Sequence, residues 1–265
     1  MSTCREAIAA LKAYKDECAI HVYTLGQFAV YRDGELISEK GWGRDKTIQL
    51  FQFLISNIQR NGIHREQISD RIWGDDKTGD FKVALHGINK ILEPHRAPRT
   101  APNYLIKQGH SYQLDSGKIW VDASTVEKYI SVATHSDGDI DGNIGALEEA
   151  IILYKGLFLP SRIYEDWSAV ERERLQVIIM GAYLQLAELL LPINTMETIR
   201  LTQNALAIDP SWEDLYRLQM SAYIQNGNRP QAIKTYQKCK LILENDYGLE
   251  PLPETRVLLN SINAL

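Results

Sequence analysis

From Val121 to its end the chain carries no strand-like alternation, only helical spacing. Val126 to Ala133, Ile144 to Tyr154 and Trp167 to Leu191 each repeat apolar residues at a helical period, with a Gly- and Asp-rich loop from Asp137 to Gly142. Pro160, Pro192, Pro210 and Pro230 fall at or near helix starts and ends. Val121-Asp122, with Ser124 and Thr125, reads as the exit of a strand and the cap of a helix. More than half of the chain must therefore bury helices against helices, so the expected fold class is mainly α with a small β component. Tyr164 and Trp167, beside Asp166, precede the long helix and read as core or domain-interface residues.

An internal period reinforces this. Ala205 and Cys239 are small residues 34 positions apart, each in the second helix of a pair, and that is the length of a tetratricopeptide unit. Tyr223, Gly227, Ala232 and Tyr236 occupy aromatic and small positions that let paired helices interlock, although Met220 stands where a small residue is usual. An all-α, tetratricopeptide-like helical repeat domain is expected, against the blander alternative of an irregular bundle. Stacked pairs of this kind offer an extended surface to a protein partner.

The first half changes period. Met1 to Asp16 has a helix pattern and reads as an N-terminal leader. Ile20 to Ser38 alternates in short runs broken by Asp33-Gly34, a hairpin signal. Lys46 to Gly62 is apolar on much of its circumference and reads as a central helix stopped by Gly62. His64 to Trp73 is a shorter helix, with Ile68, Ile72 and Trp73 inward. A third helix runs from Asp80, its expected N-cap, to Pro94, with Phe81, Ala84, Leu85, Ile88, Ile91 and Leu92 in one stripe. After a loop from His95 to Pro102, Tyr104 to Leu114 reads as two strands joined near Gly109. Sheet, three helices and hairpin, in that order, is the winged helix-turn-helix layout.

The face of the third helix opposite its apolar stripe holds Lys82, His86, Asn89 and Lys90. Lys reaches guanine N7 and O6 and Asn pairs with adenine N6 and N7, so these four are the candidate major-groove residues. Lys77 and Thr78 before the helix, Arg96 and Arg99 after it, and Lys107, His110 and Tyr112 on the wing are the candidate DNA-backbone contacts. The net charge of −5 argues against nonspecific coating of nucleic acid. Between Lys82 and Lys107, however, Lys90, Arg96 and Arg99 add to the positive charge, and Glu93 is the sole acid. The charge is divided between the halves, which suits one half that meets DNA and another that meets something else.

Several motifs carry a family resemblance. Trp42-x-Arg44-x-Lys46 before a long apolar helix and Ile68-x-x-x-Ile72-Trp73 at the end of the next resemble the OmpR/PhoB-type winged helix of Streptomyces antibiotic regulatory protein-like activators. Val83-Ala84-Leu85 with Ile88, Lys90 and Leu92-Glu93-Pro94 is similar to their recognition helix. Tyr104-Leu105, Gly109 and Tyr112-x-Leu114 are similar to their wing. Tyr247-Gly248-Leu249-Glu250-Pro251, then Pro253-Glu254-Thr255-Arg256, resembles the ending of the bacterial transcriptional activator domain that follows in the same proteins. The resemblance implies a winged helix over 20–120 and an activator domain over 121–265, which leaves 1–19 as the helical leader read from its pattern. It implies a sequence-specific regulator that binds double-stranded DNA at promoter repeats. Its helical domain would contact RNA polymerase, a second copy or a regulatory module. Members often carry two or three arginines on the reading face, where this chain has His86, Asn89 and Lys90.

Other classes have little support. There is no phosphate-binding Gly-rich loop with Lys, no G-x-S-x-G and no His-Glu-x-x-His, so an enzyme is not expected. Cys4, Cys18 and Cys239 are far apart and odd in number, which suggests neither disulfides nor zinc, and Cys239 reads as a small buried residue. No cofactor and no metal are expected. No apolar run approaches the roughly 18 residues of a membrane span, and a cytoplasmic protein without a membrane partner is expected. Glu171 to Arg174 reads as a solvated helix face. A protein-interaction adaptor whose winged helix no longer binds nucleic acid is the alternative. An RNA-binding module ranks last, for want of a sheet face with paired aromatics.

Overall fold

The computed structural model describes residues 3–74, 79–135 and 138–264. The chain divides into two compact units, Met1–Ser131 with Ile152–Gln176, and Val132–Ile151 with Val177–Leu265. It is mainly helical with two small sheets, a winged helix-turn-helix and a helical repeat.

In the first unit, α1 (Cys4–Glu17) starts with a reciprocal cap between Thr3 and Glu6. The Tyr14 hydroxyl lies 2.7 Å from the Ser116 carbonyl, and the Lys15 ammonium sits 4.4 Å above the Trp120 ring. The stretch read as a leader is thus packed into this unit. Strands β1 (Ile20–Tyr23), β2 (Ala29–Arg32) and β3 (Glu35–Leu36) run antiparallel. The β2–β3 turn has positive φ at both Asp33 and Gly34, the type I′ geometry that matches strand twist. Next come α2 (Glu39–Trp42), α3 (Asp45–Ser56), β4 (Ile63–His64), α4 (Arg65–Trp73), α5 (Gly79–Leu92), β5 (Leu105–Gln108), β6 (Ser111–Leu114) and β7 (Ile119–Val121). Strand β7 lies parallel to β1 and completes a sheet of order β3-β2-β1-β7; the wing sheet has order β4-β6-β5.

Helix α3 is the centre of the core. Its Leu50, Phe51 and Leu54 are buried with Ile68 of α4 and Phe81, Ala84 and Ile88 of α5. Large apolar side chains buried in this way each contribute about 1.5–3 kcal/mol over leaving them in water. Helix α3 ends at Ser56, short of Gly62. The Asn57 side-chain amide donates to the Phe53 carbonyl at 2.8 Å and closes the last turn. Gly62 instead brings β4 against the wing. Its N–H donates to Gln113 Oε1 at 2.6 Å, and a Cβ there would stand 3.1 Å from Ser111 Cβ.

Asp122, the first residue of α6 (Asp122–Thr134), ties that helix to the end of β1. The segment from 152 onward docks on the same sheet and on α3. Gly26 N–H donates to the Leu157 carbonyl at 2.9 Å, and Leu159 N–H to the Thr24 carbonyl at 2.8 Å. Arg162 donates to Gln52 Oε1 at 2.8 Å and pairs with Asp45. Trp167, in α8 (Asp166–Leu190), packs its ring 5.6 Å from Phe53, in line with the core reading of that residue. Tyr164 departs from that reading: it is 97% exposed, in the turn between the short 3-10 helix Pro160–Arg162 and α8. Gly26 has φ +79°, and a Cβ there would meet the Lys155 carbonyl oxygen at 2.5 Å. Gly26→Ala is accordingly expected to lower folding stability by about 1–3 kcal/mol, as read by urea denaturation.

The second unit is all helical among its described residues. Helix α7 (Ile140–Leu153) starts two residues before the end of the expected 137–142 loop, because Asp139 Oδ1 accepts from Gly142 N–H at 2.9 Å and caps it. After the α8 segment of this unit come α9 (Thr195–Ile208), α10 (Glu213–Gln225), α11 (Arg229–Ile242), a π turn and α12 (Pro253–Ala264). Helix α10 packs on α9 and on α11, and α11 on α12. Ala205 and Cys239 are both fully buried, as the repeat requires. Asn194 and Asn228, separated by the same period, each cap the second helix of a pair. Met220 fills its position in a core with Ala232, Tyr236 and Leu258.

Candidate nucleic-acid interface

Helix α5 turns Phe81, Ala84, Ile88 and Leu92 into the core. Lys82, Val83, His86 and Lys90 are exposed and Asn89 is half-buried. The helix is pressed against α3 at Gly87, where a Cβ would lie 2.9 Å from the Thr47 methyl. Asp80 lies inside the first turn rather than at the N-cap, since the helix starts at Gly79. An acid there still favours the positive end of the helix, and Arg44 stands 3.9 Å from it. At the other end Arg32 donates to the Ile91 carbonyl, so a cation meets the negative end. Lys46 bonds the Gln49 side chain at 2.9 Å and the Ile72 carbonyl, which holds the start of α3 to the end of α4. The donors of α5 are therefore carried on a helix fixed at both ends and along its back.

The wing turns through Gly109 (φ +60°) and His110, a two-residue loop with positive φ at its first position only, as in a type II′ turn. Lys107 and His110 are exposed. The Arg65 N–H donates to the His110 carbonyl at 2.9 Å, and the His64 and His110 rings are 5.8 Å apart. The start of α4 is thus bonded to the wing tip. The Arg65 guanidinium lies 5.4 Å from the centre of the Phe81 ring, which in turn meets Tyr112 edge-on at 5.0 Å.

Tyr112 is not a surface contact. It is only 8% exposed, because β6 places it on the same inner face as Leu114, and it supports the wing from below with Lys107 above its ring. Lys77 and Thr78 lie outside the described residues. Arg96 is half-buried and Arg99 exposed on the loop after α5. Glu93 accepts twice from Asn103 N–H, at 3.0 and 3.1 Å, and ties the two ends of that loop together.

Two residues that stand beside the candidate residues were not singled out by sequence reasoning. Val83 is 50% exposed on the donor face, three residues from His86 and seven from Lys90. Its spacing already kept it out of the apolar stripe, but only residues with hydrogen-bond donors were considered for the outer face. Arg65 is brought to the wing only by the pairing of β4 with β6. Among the described residues no group of three or more His, Cys, Asp or Glu could hold a metal ion, and no helix is long and apolar enough to cross a membrane.

Comparisons with known proteins agree with this architecture. Residues 121–263, more than half of the chain, match the bacterial transcriptional activator domain family. The regulatory protein AfsR of Streptomyces coelicolor is 24% identical over 254 residues, which are 92% of this chain and 24% of that protein. The chain thus spans about a quarter of the length of that relative. The solved structure of Mycobacterium tuberculosis EmbR in complex with a low affinity phosphopeptide superposes with a TM-score of 0.78 at 17% identity, over 93% of this chain and 65% of that one.

Proposed function

The chain belongs to the bacterial transcriptional activator domain family, and on that premise we propose that it is a sequence-specific activator of the Streptomyces antibiotic regulatory protein type. An OmpR/PhoB-type winged helix over 20–120 reads promoter DNA. The domain over 121–265 contacts RNA polymerase or a partner protein. The observation that carries this reading is the donor face of α5, exposed and held rigid by α3 and the wing.

Lys82, His86, Asn89 and Lys90 offer donors to base edges, and Val83 offers an apolar contact to a thymine methyl. Lys107, His110 and Arg65 face the phosphates beside the groove, where contacts position without reading sequence. Arg96 and Arg99 serve the backbone at the far end of the helix. AfsR is by name a regulatory protein, which supports a regulatory role for this chain.

Fluorescence anisotropy of the full chain against a promoter duplex and a scrambled duplex, at two salt concentrations, tests the proposal; equal affinity for both removes it. Lys107→Ala is expected to weaken all duplexes alike and to reduce the slope of log affinity against log salt by about 0.9, the value for one phosphate contact. Replacement of thymine by deoxyuridine in the bound site is expected to cost wild type affinity at one position and Val83→Ala none there.

A further inference from the structure

A groove of about 450 Å³ runs among α8, α10 and α12 in the second unit. Helices α8 and α10 are the first helices of the two pairs, and α12 follows the second pair. Leu184 and Leu218 line the groove from equivalent places, 34 positions apart, and Val257 and Leu258 line it from α12. The three leucines are half-buried, and Val257 is 65% exposed. An apolar strip that three helices share and leave open to water is the mark of a docking surface. Its rim is acidic: Glu188, Asp214 and Glu254 line it against one cation, Arg217. That cation is already engaged. It pairs with Asp214, stands 3.9 Å from Glu213 and donates to the Thr255 hydroxyl at 3.1 Å. Glu213 accepts from the same hydroxyl and from the Leu252 N–H at 2.7 Å, which fixes the start of α12 against α10. The Pro253-Glu254-Thr255-Arg256 motif is built into this wall, with Thr255 buried in the network and Glu254 exposed at the groove. Glu188 and Glu254 have no ion-pair partner among the described residues.

The walls are thus preset, and surplus negative charge flanks the apolar strip. A complementary occupant is apolar on one side and basic beside it. It must also satisfy its own backbone, because the described residues of the second unit include no strand whose edge could pair with it. A helix meets that condition. We propose that the groove takes a short amphipathic helix of a partner protein. Its apolar side chains seat on Leu184, Leu218 and Val257, and its Lys or Arg side chains stand beside Glu188 and Glu254. This rests on the reading of the helical domain as the part that meets a protein, and it gives the partner's segment a chemistry.

Fluorescence anisotropy of the full chain with labelled, side-chain-bridged helical peptides tests this. The first peptide has leucines at i, i+4 and i+7 with lysines beside them; the second has glutamates for the lysines; the third has serines for the leucines. Only the first is expected to bind, one to one. Val257→Asp should weaken it at least tenfold, and so should Glu188→Lys combined with Glu254→Lys. These three side chains are exposed, so the fold is kept. The charge-reversed chain should also bind the glutamate peptide more tightly than wild type does. The proposal is overturned if the first peptide does not bind, if the serine peptide binds as tightly, or if binding survives these substitutions. It is also overturned if the chain self-associates in solution and Val257→Asp returns it to a monomer, because the occupant would then be a second copy. Duplex binding read on the same samples keeps the two proposals apart. Failure of the peptides with duplex discrimination intact removes the groove assignment alone, and peptide binding without duplex discrimination removes the DNA-reading proposal alone.

Discussion

Asp122→Asn is expected to lower folding stability by about 3–5 kcal/mol, among the largest losses available to any single substitution in this chain. The carboxylate is 1% exposed and stands at the junction of β7 and α6. It accepts from the Thr24 N–H at 2.8 Å, the Thr24 hydroxyl at 2.6 Å, the Leu25 N–H at 3.0 Å and the Ala123 N–H at 2.7 Å. Burial pushes this carboxyl above its ordinary value, and the bonds from Thr24, Leu25 and Ala123 pull it back. Asparagine keeps the shape but turns an NH₂ toward donors, so at least one buried N–H or O–H loses its acceptor. Thr24→Val removes only the hydroxyl and should cost about 1 kcal/mol. Urea denaturation followed by tryptophan fluorescence reads both. A loss below 1 kcal/mol for Asp122→Asn would mean that the junction is held by packing alone.

The parts of the fold that repeat with a simple period were legible in the sequence. The α5 stripe sits at 3.6-residue spacing, and its outer face follows by elimination. The hairpin at Asp33-Gly34 and the wing turn at Gly109 were legible because left-handed φ values favour few residues. What failed was decided elsewhere in the chain. Gly62 looked like a helix stop because the apolar run before it is dense, but Asn57 ends α3 through its side chain and Gly62 answers to the wing. Tyr112 was placed on the surface although its two-residue spacing from Leu114 already put both on one face. Strand β4 has two residues and is defined by its pairing with β6, so the place of Arg65 beside the wing could not be read from local pattern. The docking of Leu157, Leu159 and Arg162 on the sheet and on α3 within the first unit is likewise tertiary and has no period.

The second large effect concerns recognition. Lys82 and Asn89 stand two turns apart on α5, with Val83, His86 and Lys90 between or beside them. Each good side-chain pairing with a base is worth about 1–3 kcal/mol of discrimination. Lys82→Ala and Asn89→Ala should therefore each lose about tenfold or more in preference at one base-pair position, and leave binding to unrelated DNA nearly unchanged. Neither side chain is buried in the core, so folding stability should move by about 0.5 kcal/mol at most.

Selection of a random duplex library on the full chain, followed by anisotropy on the enriched duplex, tests the central claim most directly. Wild type should enrich a defined sequence, and Lys82→Ala and Asn89→Ala should each flatten the preference at a different position of it. An unchanged motif in both variants, or no enriched motif for wild type, would contradict the assignment of α5 as the reading helix.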